Sequence, residues 1–368
     1  MTPPSRLRGW LRSTLISLLS VVCGFAVAAV AVAITGADPV EAFYALFQGA
    51  FTFRNAVPET LIATIPYVFL GLAVAIGFRA GLFNIGAEGQ FYLGALAGVF
   101  MGSRVHGLPG LIEIPVCILA GMVGGAAYAA IPGILKARFG AHEVITTIML
   151  NHIAFALSDW LINRGPMADP RSSAPRTPFI DANAQLPILA ANTRLHLGLI
   201  LALVAVPVVW FLIERTTIGF RIRAVGLNQN AARAAGISVG WTIVLVMVIS
   251  GALAGLAGAD EVLGVSHFMP PSFSVGYGFD AIAVALLARS DPWAIVPAAF
   301  LFGAMRNGAT FMQLATQVSA DLISVVQATV IIFVAAPAIV RWLFRLREAP
   351  VGAFQITQRA TEGVSAET

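Results

Sequence analysis

Asn84, Glu88 and Gln90 fall within one segment, RAGLFNIGAEGQFYLG at 79–94. The flanking sequence is strongly apolar, so these side chains stand out as groups able to hydrogen-bond a polar solute. A plainer use for them is to satisfy the backbone of a helix that the glycines interrupt. Farther along, Glu143, Thr147 and Asn151 recur at i, i+4 spacing, with His152 and Asp159 nearby. Adjacent members of such a series share a helix face. Asp280 follows Gly276 and Gly278 at the start of a short apolar stretch, where it can cap the helix or face a solute. Ionisable side chains in hydrocarbon cost about 2.5–3.5 kcal/mol on insertion scales and usually face the bundle interior. Glu88, Asn84, Gln90, Asn151 and Asp280 are therefore the candidates for lining a translocation route or bracing its mouth. For Asn151 the plain alternative is an interhelical hydrogen bond, worth about 0.6 kcal/mol on average in membranes. Glu143 is expected at the cytoplasmic interface, where structural pairing with Arg138 and a functional role are equally open.

Other chemistries lack their residues. His152 has no second His or Cys at ligand spacing, so no metal site is expected. The cysteines Cys23 and Cys117 lie in apolar runs and are expected to pack as small hydrophobes. No phosphate-binding loop ending in GK[ST] is present. Neither HExxH nor GxSxG occurs. The chain is not expected to be an enzyme and needs no cofactor of its own. Its energy must come from a partner or from an ion gradient, the latter by a proton relay through Glu88, Asp159 or Asp280.

The elements that hold these residues follow from composition. The 368 residues are 58% hydrophobic and only 11% charged, against roughly 25% charged in soluble domains. Mean hydropathy is +0.85. This excludes a soluble enzyme and a disulfide scaffold and predicts an all-α, polytopic transmembrane bundle. Spans are expected near 13–34, 57–78, 83–103, 112–135, 144–163, 195–213, 241–261, 277–290, 293–312 and 321–343. The first follows Arg6, Arg8 and Arg12 and is longer than the roughly 7–15-residue core of a signal peptide.

Ten spans put both termini on one side. Under that arrangement seven cations, Arg54, Arg104, Arg164, Arg171, Arg176, Arg194 and Arg306, lie outside and the other 15 of 22 lie inside. Cytoplasmic loops carry the excess of Lys and Arg, so both termini are expected inside. The net charge of +4 thus reflects topology rather than nucleic-acid binding. The stretches 79–94 and 262–280 are too polar or too rich in Gly and Pro for lipid-facing helix. Irregular backbone at membrane depth is tolerated only where protein or a water-filled cavity satisfies it. The small residues Gly121, Gly124, Gly125, Gly251, Gly255 and Gly258 are expected to permit close helix contact. Residues 1–345 are expected to form one transmembrane domain, with a Pro-rich outer loop at 164–194 as an ordered or semi-ordered cap and a disordered cytoplasmic tail at 346–368.

The inner loop 214–240, ERTTIGFRIRAVGLNQNAARAAGISVG, has no run able to cross a membrane. Asn228 is a good N-cap. The Ala-rich run 229–235 favours helix, and Gly236 supplies a left-handed stop. A two-turn helix is predicted, suited to another protein's groove or serving as an ordinary connector.

This loop resembles the coupling helix of bacterial ABC importer permeases. More narrowly, the chain is similar over about 55–345 to the permease family shared by ribose, branched-chain amino-acid and nucleoside importers. The similarity rests on GLFNIGAEGQFYLGALAG (81–98), HEVITTIMLNHIA (142–154), the 219–239 loop, SGALAGLAGADEVLG (250–264) and GYGFDAIAVALLARSDPWAIVPAAFLFGAMRNGA (276–309). The NIGAEGQ form looks like the nucleoside-type members. The chain departs from the family pattern at Ala288, where Gly is common, and at Asp260, where an apolar residue is common. The resemblance implies a permease in a bacterial inner membrane, importing nucleosides or a related sugar-containing solute. It also implies a cytoplasmic ATPase that uses the ATP, a second identical or homologous permease and an extracytoplasmic solute-binding protein. Asn228, Asn230, Ala231, Ala232, Arg233, Ala235 and Gly236 would engage the ATPase. Phe83, Phe91, Tyr92, Phe268 and Phe279 would suit a flat base.

Overall fold

The computed structural model describes residues 19, 22–34, 36–105, 107–274, 276–316, 328, 329 and 332. The N-terminal cations Arg6, Arg8 and Arg12, the expected span 321–343 and the tail 346–368 lie outside the described residues. The chain divides into two compact units, Met1–Ala31 with Val325–Thr368, and Val32–Ser324. An apolar helix, α1, covers Val22–Ile34. The rest of this description concerns Val32–Ser324.

Along that unit run α2 (Pro39–Phe47), α3 (Ala56–Arg79), α4 (Ala87–Arg104), α5 (Gly110–Phe139), α6 (Glu143–Asn163) and α7 (Gly198–Arg215). They are followed by α8 (Thr217–Leu227), α9 (Gln229–Ala234), α10 (Val239–Glu261), α11 (Tyr277–Leu287) and α12 (Pro292–Thr316). Among the described residues no strand is present, as composition predicts, and a lone antiparallel bridge joins Ile188 to His196. Among the described residues, α3, α5, α6, α7 and α10 with its π-helical extension to Ser266 are the five helices long and apolar enough to cross a membrane. The shorter α11 and the more polar α4 and α12 fall at other expected stretches.

The central helix is α3, buried without a break from Thr64 to Gly77. Against it packs α10, which also lies along α4 and α5. Those last contacts depend on glycine. A Cβ on Gly94 or Gly125 would collide with the α10 backbone at Gly255 or Gly251, and one on Gly258 would strike the Phe91 carbonyl. The small residues thus bring the helices to backbone contact, which adds dispersion attraction where hydrocarbon gives no hydrophobic drive.

The outer helix α6 has the reverse amphipathicity of a soluble helix. Its buried positions are Glu143, Thr147, Asn151, Ala154, Ser158 and Ile162. Its exposed positions include Ile145, Met149, Ile153 and Trp160. A helix with its polar stripe inward and its apolar face outward is stable when the surrounding solvent is apolar.

Two irregular segments interrupt the bundle where expected. After Arg79 the chain leaves the helix and resumes it only at Ala87, later than the expected start at 83. At the other break, α10 passes into a π-helical turn, Val262–Ser266, and ends at His267 with φ of 60°. The chain then turns at Pro271 and Ser272, and Gly276, with φ of 97°, precedes α11. The outer loop covers this second break. Thr177 N donates to the Met269 carbonyl at 3.0 Å, and Thr177 Oγ1 accepts from the Met269 amide at 2.9 Å. Ile180 N and Leu186 N donate to the carbonyls of His267 and Leu263. The loop is ordered as a cap, held by backbone bonds that its prolines gave no means of predicting.

Candidate functional site: a braced mouth and a projecting helix

The break between α3 and α4 is satisfied by its own polar side chains. Asn84 Oδ1 accepts from the Gly86 amide at 3.0 Å, and its Nδ2 donates to Gln90 Oε1 and to Ser250 Oγ, both at 2.9 Å. Ser250 Oγ in turn donates to the Ala73 carbonyl of α3 at 2.8 Å. Asn151 bridges from α6, accepting from the Gly89 amide and donating to the Ile85 carbonyl, each at 2.9 Å. Asn84, Gln90 and Asn151 are all at most 1% exposed. Buried amide and carbonyl groups left unpaired cost about 1–3 kcal/mol each. These three residues therefore pay for the irregular chain at 80–89 and join α3, α4, α6 and α10.

Glu88 and Asp280 lie where the two breaks meet. Glu88 Oε2 accepts from the Gly278 amide at 2.5 Å, and a Cβ on Gly278 would collide with the Glu88 backbone. The first turn of α11 is thus pressed onto the first turn of α4. Asp280 is half-buried. Instead of capping α11, its Oδ2 accepts from Tyr67 Oη of α3 at 2.9 Å. The α11 cap is Gly276, with no side-chain hydrogen bond. Around these carboxylates stand Phe91 and Phe273, stacked with centroids 5.5 Å apart, and Tyr277, whose ring lies 5.3 Å from the Arg306 guanidinium carbon. Tyr92 Oη accepts from the Ser274 amide at 3.0 Å. Phe83 and Phe279 are exposed, at 50% and 43%, and do not join this cluster. Phe268 meets Phe179 of the outer loop instead.

The junction of the two breaks includes partners that residue spacing alone did not single out. Tyr67 is the lone phenol in an otherwise apolar stretch, 65–78, which was a legible signal. Ser250 gave none beyond its small size. On α6, Glu143 pairs with Lys136 at 2.5 Å rather than with Arg138, because Gly140 at φ 68° turns the chain back after α5. His152 is exposed, edge-on to Phe155, and among the described residues no cluster of metal-ligating groups occurs. Cys23 and Cys117 are free and buried.

The second feature is the loop 214–240, and it contains more helix than expected. After α7, Thr216 caps α8 through a 3.1 Å bond from the Gly219 amide. Asn228 then caps α9, accepting from the amides of Asn230 and Ala231 at 2.9 and 3.0 Å. The α9 run ends at Ala234, and Gly236 takes φ of 80°. Gln229, Asn230, Ala231, Arg233, Ala234 and Ala235 are exposed, while Ala232 is turned inward at 3%. Ala232 seats the helix, leaving its neighbours to present the outer face. Behind it, Glu214 pairs with Arg79 and Arg223 at 3.3 and 3.5 Å.

Just before α7, His196 is 1% exposed. Its Nδ1 accepts from the Gly198 amide at 3.1 Å and so carries no proton. Asp260 Oδ1 stands 4.0 Å from that nitrogen, too far for a hydrogen bond. The pair is therefore not an ion pair. Burial, with His267 adding a smaller push, lowers the His196 pKa to about 4.

A family model described as "Branched-chain amino acid transport system / permease component" matches residues 57–335. The chain is 39% identical over 339 residues to the guanosine ABC transporter permease protein NupP of Bacillus subtilis (strain 168), covering 89% of this chain and 95% of that one. It is 36% identical over 339 residues to the nucleoside ABC transporter permease protein NupB of Lactococcus lactis subsp. cremoris (strain MG1363), covering 89% and 92%. It is also 36% identical over 326 residues to the glucose ABC transporter permease protein TsgB13 of Haloferax volcanii, covering 86% and 85%.

Proposed function

Because this chain belongs to the branched-chain amino acid transport system / permease component family, we propose that it forms the route by which an ABC importer takes up a nucleoside. The chain is a transport subunit, a multi-pass membrane permease, and not an enzyme. Two relatives at 39% and 36% identity are named for guanosine and nucleoside, against one at 36% named for glucose, which favours the nucleoside. The membrane is a bacterial inner membrane, crossed ten times with both termini inside. ATP is bound by a cytoplasmic ATPase, solute is delivered by an extracytoplasmic binding protein, and a second permease completes the route.

The observation that carries this reading is α9, a short helix capped at both ends whose exposed side bears Asn230, Ala231, Arg233 and Ala235. Such a knob fits a groove on another protein. A carrier driven by an ion gradient has no use for it. Closure of the ATPase dimer moves α9, and alternating access follows as helix groups rock about a fixed route. Asp280, Glu88 and the Phe91–Phe273 stack lie along that route, and Asn84, Gln90 and Asn151 hold its mouth. A neutral solute with a flat base and many hydroxyls suits aromatic faces and carboxylate acceptors.

The test is uptake into liposomes holding the full complex, using labelled nucleosides, sugars and branched-chain amino acids. Nucleoside uptake should require ATP. Ala231→Glu, on the exposed face, and Gly236→Pro should each cut it by about tenfold or more, because proline fixes φ near −65° where Gly236 needs a positive value. Uptake driven by an ion gradient without nucleotide would overturn the proposal.

A further inference from the structure

Movement of α9 is useful only if it reaches the mouth, and the contacts behind α9 narrow the path. Its predecessor α8 carries Gly226 in its last turn. A Cβ there would collide with the Arg79 carbonyl oxygen, so the α8 backbone rests directly on the last residue of α3. Gly81, at φ 69°, touches the same glycine from the start of the 80–86 break, its own Cβ position 3.5 Å from Gly226 Cα.

The Arg79 side chain then reaches two other turns. Its NH1 donates to Glu214 Oε1 at 3.3 Å at the end of α7. Its Nε donates to the Ser290 carbonyl at 3.0 Å, in the turn between α11 and α12. That turn is unusual. Arg289 and Ser290 both take left-handed backbone conformations, at φ of 52° and 56°, which non-glycine residues adopt only when the surroundings enforce them. Arg223 of α8 contacts both Glu214 and the Ile213 carbonyl, so α8 is tied to the same knot by side chain as well as by backbone.

From Arg79 two short rigid links lead to the mouth. One is the 80–86 segment, stiffened by Asn84 and ending at α4 and Glu88. The other is α11 itself, 11 residues long, about 16 Å of helix, whose far end is the Gly278 amide bound by Glu88. Both links converge on one hydrogen bond, between Glu88 and Gly278.

We propose that Arg79 is the positioning residue that passes displacement of the α8–α9 pair to the starts of α4 and α11, where the mouth opens and closes. The proposal rests on the reading of α9 as the ATPase contact. A rigid backbone contact transmits compression. The Arg79 fork adds tension, since it pulls Ser290 when Glu214 and α8 move. Lysine keeps the charge opposite Glu214 but has no planar fork to hold a carbonyl at the same time.

The experiment uses the full complex in liposomes with wild type, Arg79→Ala, Arg79→Lys and, as a reference, Ala231→Glu. Copurification of the ATPase, ATP hydrolysis with and without solute-loaded binding protein, and solute uptake are measured on each. Arg79→Ala should still copurify with an ATPase that hydrolyses ATP. Its uptake, and the stimulation of hydrolysis by loaded binding protein, should fall about tenfold. Arg79→Lys should fall between the two. Stimulated hydrolysis and uptake at the wild-type level in Arg79→Ala, with Ala231→Glu inactive, would overturn the role of Arg79 and leave the α9 reading intact. Activity in both variants would instead sink the α9 reading. Loss of copurification in both Arg79 variants would assign the residue to folding and also overturn the proposal.

Discussion

His196 is the residue whose titration the structure predicts most directly. An unfolded imidazole titrates near 6.5, while burial holds the folded one near 4. Between those values the unfolded chain binds the extra proton, so stability is complete above about pH 7 and declines as pH falls from about 6.5 to 4. The slope is at most about 1.4 kcal/mol per pH unit, and about 3 kcal/mol is lost in all. Melting of the purified permease in detergent should therefore drop between pH 7 and pH 5. In His196→Asn the drop should shrink, with a remainder from His267, whose pKa burial also lowers. An unchanged drop would show that His196 is not buried as a neutral ring. The sequence marked Asp260 as out of pattern but did not mark His196, because a single histidine at the edge of an apolar run carries no sign of what it will pack against. The polar residues of the mouth were legible for the opposite reason. Asn84, Glu88, Gln90 and Asn151 are conspicuous in hydrocarbon, although their hydrogen-bond partners required the fold.

At the scale of elements, glycine spacing foretold where helices meet, and the structure shows how strictly. Gly255 of α10 lies where a Cβ would collide with the Gly121 carbonyl. Gly255→Leu should destabilise the permease by at least about 1–3 kcal/mol, the usual cost of overpacking. Gly240, at the start of the same helix, has only Ala137 atoms 3.7 Å or more from its Cβ position. Gly240→Ala should be neutral or stabilising by up to about 1 kcal/mol, through helix propensity. Thermal melting of the two variants side by side checks both, and equal effects would refute the packing account. Helix α8 escaped the sequence reading because Gly219 and Gly226 look like breakers. Both are there for close approach instead, Gly219 to the carbonyls of Leu212 and Ile213 and Gly226 to Arg79. Helix α9 was readable to within a residue because its signals, an Asn cap and a Gly stop, act locally.

At the scale of the whole molecule, the proposed orientation puts Arg138 and Asn192, both exposed, on opposite sides of the membrane. With Cys23 and Cys117 replaced by alanine, Arg138→Cys should react with a membrane-impermeant maleimide only in inside-out vesicles. Asn192→Cys should react only in intact cells. The same labelling pattern for both sites would refute the topology. Helix class and approximate span positions were readable from hydropathy, since hydrocarbon imposes one rule on every residue it touches. The breaks at 80–86 and 267–276 were readable as irregular, but not as two ends of one junction, because their meeting depends on long-range packing of α11 against α4.

The brevity of α9 has a consequence for anyone seeking to block this transporter. Six residues fall well below the dozen or so that a lone helix needs to persist in water. A synthetic peptide copying 226–238 would therefore be a floppy strand and a feeble competitor. Only a cross-linked or cyclised mimic, fastened into the helical shape beforehand, would stand a chance of jamming the socket proposed on the ATPase.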